Sequence, residues 1–206
     1  MPPNPLRSLS GDAAYLSAFL RDRTSGPVVL VGHSYGGAVI TNAGESDPDV
    51  KALVYINAFV PDGGEDVLHL ASAKPGSDLA DDPTTVFDFV AYPGGAGDVD
   101  LYVKQEVFPH AFADDLPPKS AAVLAASQRP LTFSAAAEPS GSPAWETIPS
   151  WYLVGTEDHV IPPAEQRFMA ERADSTTVEV KAGHLSMLSR PHEVTDLIRT
   201  AASSVS

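Results

Sequence analysis

The sequence predicts an α/β fold built on a parallel sheet, and three observations predict it. Short β-branched runs alternate with segments of helical period, the connections between them are brief, and a glycine-flanked serine sits where one such run turns into a helix. Parallel strands need right-handed crossovers, so helices are expected on both faces of the sheet. At 206 residues the chain suffices for one domain with a substantial core, and residues 1–206 are read as one.

Asp12–Arg23, "DAAYLSAFLRDR", is expected to be a helix capped by Asp12, with Tyr15, Leu16, Phe19 and Leu20 as its apolar stripe. Pro27–Val31 reads as a strand buried on both faces, and Ala38–Ala43 continues it as a helix. Lys51–Phe59, "KALVYINAF", is a second buried strand, stopped by "VPDGG". From Asp62 to Glu146 the chain is rich in Pro, Gly and Asp and reads as a cap inserted into the domain, with helices expected at Asp100–Val107 and Pro118–Ser127. Phe112 and Trp145 are candidates to line a pocket there. Order returns with a strand at Ser150–Gly155, a helix at Ala164–Ala173 behind Pro162 and Pro163, a strand at Thr176–Lys181 and a helix at Pro191–Ala201.

Composition excludes several roles. The formal net charge is −14 with no basic cluster, which leaves no electrostatic footprint for nucleic acid or an anionic membrane surface. There is no cysteine, hence no disulfide and no thiolate metal site, in keeping with a cytoplasmic protein. The longest apolar runs are far too short to cross a bilayer, so a soluble chain is expected. His69, His110 and His192 share no ligand spacing, and no metal site is expected. Gly94–Gly97 follows no expected strand and reads as a loop rather than a phosphate cradle.

In open α/β sheets the ligand sits outside the carboxyl ends of the strands, so the residues just after strands carry the chemistry. Three such places stand out. Gly32-His33-Ser34-Tyr35-Gly36 fits G-x-S-x-G, which needs a strand before and a helix after, and has both. A serine hydroxyl is a poor nucleophile unless a base takes its proton and an acid orients the base. The third strand is followed by Glu157, Asp158 and His159, and the fourth by His184. The order Ser34, Asp158, His184 is the one expected of a serine nucleophile on this fold class. Asp158 is preferred over Glu157, and His159 is read as a surface residue.

The stretches "GHSYGG", "YINAFVPD", "PSWYLVGTEDHVIPP" and "GHLSMLSRP" make the chain resemble the α/β-hydrolases, in the branch of plant methyl esterases, hydroxynitrile lyases and bacterial esterase relatives. The resemblance runs from about Asp12 to the C-terminus. It implies Ser34 as nucleophile, Asp158 as acid, His184 as base, the Tyr35 backbone N–H as an oxyanion-hole donor, a small-molecule ester as substrate and no cofactor. Family members open with a strand ending in His-Gly that supplies a second oxyanion donor, and no His-Gly dipeptide occurs here. Loss of one such donor typically costs about 2.7–4 kcal/mol of transition-state stabilisation. Two expectations follow. The chain is a fragment with its N-terminal strands missing, or Val28–Val31 forms an exposed sheet edge through which a homodimer assembles.

Two rival readings remain at this point. A hydroxynitrile lyase on the same scaffold carries a lysine after the histidine and a glutamate before the serine, where this chain has Leu185 and His33. The other is a non-catalytic, small-ligand-binding protein or inactive remnant.

Overall fold

The computed structural model describes residues 2–80 and 82–205. Along the chain come α1 (Leu9–Arg23), β1 (Val28–Ser34), α2 (Tyr35–Ala43) and β2 (Val50–Ala58). Next are α3 (Val67–Ser72), α4 (Pro83–Val86), β3 (Phe87–Ala91), β4 (Val99–Val103), α5 (Phe108–Ala113), α6 (Pro118–Ser127), β5 (Leu131–Thr132) and α7 (Phe133–Ala137). The chain closes with β6 (Ser150–Gly155), α8 (Pro163–Arg172), β7 (Thr176–Val180), α9 (Ser186–Ser189) and α10 (Pro191–Ser204). Among the described residues no helix is long and apolar enough to cross a membrane.

The main sheet is parallel throughout, in the order β1-β2-β6-β7. Side chains alternate across a strand, so β2 feeds two cores. Leu53 and Tyr55 join α1, α2 and α8 on one face. Ala52, Val54 and Ile56 join Trp151, Leu153 and the Val194, Leu197 and Ala201 stripe of α10 on the other. The segment between β2 and β6 forms its own antiparallel sheet, β3-β4-β5, and sends Leu101, Ala111, Ala135 and Ala136 into the first of these cores.

Several expectations give way. The first helix starts earlier, at Leu9, with Ser8 as its N-cap accepting from Gly11 N–H at 3.1 Å. Its buried stripe is Leu9, Ala13, Leu16 and Leu20, while Tyr15 stands in solvent. Asp12 is no cap. It lies inside the helix, 2% exposed, accepting from the Leu6 and Arg7 N–H groups and from the Tyr35 hydroxyl at 3.1, 3.4 and 2.8 Å. The strand expected to be buried on both faces is only partly covered, with Val31 44% exposed, and it lies at the edge of the sheet. Asp100–Val107 is a strand over its first half rather than a helix. Val99, Leu101 and Val103 repeat at a period of two, and buried Asp100 in between pairs with Arg7.

Candidate active site

Ser34 ends β1 and caps α2 at φ 52°, ψ −126°, a backbone state that side-chain-bearing residues rarely occupy. The surrounding glycines explain how the turn closes. A Cβ on Gly32 would lie 2.5 Å from the Gly36 carbonyl oxygen, and one on Gly37 would lie 2.3 Å from that of Phe59. Gly36, the second glycine of the motif, faces open space. Strand and helix therefore approach across Gly32, helix and β2 approach across Gly37, and Ser34 is held at the tip of the bend. Tyr35 opens α2, where a first-turn N–H has no intrahelical partner.

Asp158 lies in the loop after β6 and is 2% exposed. One carboxylate oxygen accepts from the Val160 and Ile161 N–H groups at 2.8 and 3.0 Å. The other accepts from His184 Nδ1 at 2.9 Å, Asn57 Nδ2 at 2.9 Å and Gln166 Nε2 at 2.8 Å. Burial by itself would push this carboxyl up. The His184 charge and the hydrogen bonds from His184, Asn57 and the Ile161 N–H outweigh it and hold the pKa below the ordinary aspartate value.

His184, in the loop after β7, is fully buried, with its ring edge-on to Phe112 at 5.2 Å. Its Nδ1 is engaged by Asp158, and its Nε2 has no hydrogen-bond partner. Ser34 and His184 are thus not hydrogen-bonded in this structure, but the residue beside Ser34 touches the histidine directly. The His33 ring lies 4.7 Å from that of His184, and its Nε2–H donates to the His184 carbonyl at 2.9 Å. Desolvation, aided by the charge of His184, pushes the His33 pKa down to about 3, so His33 is a neutral imidazole with its proton on Nε2.

Asn57 and Gln166 escaped the sequence reading. Asn57 sits at φ 43° near the end of β2, donates to Asp158 and to the Gly183 carbonyl, and accepts from the Ser186 hydroxyl. It ties the carboxylate to the histidine loop. A lone amide near the carboxyl end of an apolar strand was the available signal, the same rule that singled out the other positions. Gln166, on α8, also accepts from Gly155 N–H at 3.1 Å.

Other candidates fall elsewhere. Glu157 lies near Lys181, 3.4 Å away. His159 is half-buried rather than a plain surface residue, and it meets His110 and Asp78 although their spacing gave no hint of it. Trp145 donates to the Pro61 carbonyl at 3.0 Å. An apolar groove of about 790 Å³ runs along the β1 edge between α1 and α10 and reaches Ser34.

A strained serine between strand and helix, followed by strand-end aspartate and histidine already bonded to each other, prompts comparison with known proteins. The chain is 40% identical over 70 residues to a carbendazim hydrolyzing esterase from Nocardioides sp. (strain SG-4G), a stretch covering 30% of this chain and 29% of that one. It is 24% identical over 227 residues to an alpha-hydroxynitrile lyase of Arabidopsis thaliana, covering 97% of this chain and 81% of the relative. The crystal structure of polyneuridine aldehyde esterase superposes with a TM-score of 0.78 at 20% identity, over 97% of this chain and 81% of that one, which is a likeness of fold. The model of the alpha/beta hydrolase family matches residues 2–197, and the chain belongs to that family.

Proposed function

We propose that the chain is a carboxylic ester hydrolase acting on small-molecule esters through Ser34, His184 and Asp158. The observation that carries this reading is the His184 imidazole, buried and anchored through Nδ1 on a buried carboxylate while Nε2 is left without a partner. A buried, unpaired ring nitrogen costs about 1–3 kcal/mol, and a proton acceptor waiting for a hydroxyl accounts for its retention.

In the cycle, Ser34 Oγ attacks the acyl carbon as His184 Nε2 takes its proton. Asp158 stabilises the imidazolium and keeps the ring in the tautomer that leaves Nε2 free to accept. The Tyr35 N–H donates to the tetrahedral oxyanion. Collapse breaks the ester C–O bond, and His184 returns the proton to the leaving alkoxide. Water then adds to the acyl-enzyme with its proton going to His184, which protonates Ser34 Oγ as the acid departs. Carboxylates outnumber basic side chains between β2 and β6, with Asp62, Glu65, Asp66, Asp78, Asp81, Asp82 and Asp88 against Lys74 in its first part, which favours neutral or cationic esters over anionic ones.

Two measurements test the reading. Hydrolysis of p-nitrophenyl acetate should fall by about 10³-fold or more in Ser34→Ala, and a fluorophosphonate probe should label the wild-type chain at Ser34. Unchanged turnover in the variant would refute the nucleophile. A folded wild-type chain that neither labels nor turns over would point to a binding protein instead.

A further inference from the structure

A second group of titratable side chains lies outside the site just described. Asp78 follows α3, His110 projects from α5 and His159 stands in the loop after β6, next to Asp158. One ligand atom from each lies within 4.8 Å of the others. Backbone contacts already set two of the three: the Asp78 N–H donates to the His159 carbonyl at 2.8 Å, and the Ser77 hydroxyl donates to the Val160 carbonyl at 2.7 Å. The His110 ring packs on that of His159 with centroids 4.7 Å apart, and His110 Nε2 is 3.5 Å from Asp78 Oδ2. Asp114, one helical turn beyond His110, brings a carboxylate oxygen to 3.5 Å from His159 Nε2.

These groups face one another without satisfying one another. Asp78 Oδ2 is buried and has no hydrogen-bond partner, although an imidazole nitrogen stands nearby. We propose that Asp78, His110 and His159 form a binding site for a divalent transition-metal ion of the zinc class, with Asp114 placed to support it. Two imidazoles and a carboxylate suit zinc, whereas magnesium and calcium favour all-oxygen sets. Tetrahedral coordination with bonds of about 2.1 Å puts donor atoms about 3.4 Å apart. The observed separations close to that by side-chain movements on the order of an ångström. The net charge of −14 raises the local concentration of cations. A bound ion would clamp the segment between β2 and β6, through Asp78 and His110, onto the loop that carries Asp158. The inference is independent of ester hydrolysis.

The test uses the full chain without a histidine tag, stripped with EDTA and dialysed. Calorimetric titration with zinc sulfate at pH 7 should give one ion per chain, and zinc should raise the melting temperature in a way that EDTA reverses. His110→Ala and His159→Ala should each weaken binding by about tenfold or more. His69→Ala, which removes an exposed imidazole beside Asp66, should leave it unchanged. Circular dichroism of the metal-free variants separates loss of ligand from loss of fold, and His110, 69% exposed in its side chain, can be truncated without opening the core. Absence of one-to-one binding in the wild type would overturn the proposal, as would binding that both histidine variants retain at full strength.

Discussion

Asp158 and Glu165 are two buried carboxylates on consecutive elements, 2% and 1% exposed, and they have opposite fates. Asp158 is ringed by donors from Asn57, Gln166, His184 and two backbone N–H groups. Neither oxygen of Glu165 has a hydrogen-bond partner, and burial pushes its pKa above the ordinary glutamate value against the weaker pull of Lys74. The folded state therefore binds the Glu165 proton more tightly than the unfolded chain does, and this residue subtracts stability as pH rises from about 4.5 through the raised value. Glu165→Gln should be more stable than wild type at pH 8 by on the order of 1–2 kcal/mol, with the gain shrinking towards pH 5. Urea midpoints at the two pH values check it, and a gain equal at both would rule out the charge as its cause. The sequence distinguished Asp158 as a residue following a strand. It could not distinguish the environments, because the donors that rescue Asp158 come from Asn57, remote in sequence, and from Gln166, an amide with no motif to mark it.

At the scale of elements, the turn from β1 to α2 was legible because glycine spacing and β-branched residues are local signals, but the two motif glycines are not equivalent. A Cβ on Gly32 would lie 2.5 Å from the Gly36 carbonyl oxygen, whereas a Cβ on Gly36 meets nothing within 4 Å. Gly36→Ala should fold with a melting temperature equal to or above that of wild type, since alanine suits a helix better than glycine by up to about 1 kcal/mol. Gly32→Ala should lose about 1–3 kcal/mol or more, because the clash is with backbone that cannot rotate away. Thermal unfolding of the pair decides the matter; equal losses would mean that the bend tolerates neither residue for a reason other than space. The Asp100–Val107 stretch shows where local reading fails. Its first half alternates as a strand and its second half turns, so a single window averaged the two into a helix. What makes it a strand is pairing with Phe87–Ala91 and Leu131–Thr132, which no local pattern contains.

At the scale of the molecule, the strands of the main sheet could be listed from the sequence, and Ser34, Asp158 and His184 stood out because each follows one of them. Where each strand sits in the sheet is decided by pairing between strands far apart in sequence, which no local pattern contains. In the structure β1 pairs with β2 alone among the described residues, and its other side opens on the apolar groove between α1 and α10. An edge strand with free N–H and C=O groups and exposed valine invites pairing with another chain, and natural sheets normally blunt such edges with charge or a bulge. Here Val31 is 44% exposed with no charged residue on the strand, although the chain as a whole carries −14. Long-range repulsion of that size is screened beyond about 8 Å at physiological salt, whereas edge pairing is a contact interaction. Self-association should therefore strengthen with added salt. Sedimentation velocity of the wild-type chain should show a concentration-dependent dimer that grows between low and physiological ionic strength, and Val31→Lys should sediment as a monomer with its circular dichroism unchanged. A wild-type chain that stays monomeric across that range would show that groove and edge remain unpaired in solution, and a dimer indifferent to Val31→Lys would move the interface elsewhere.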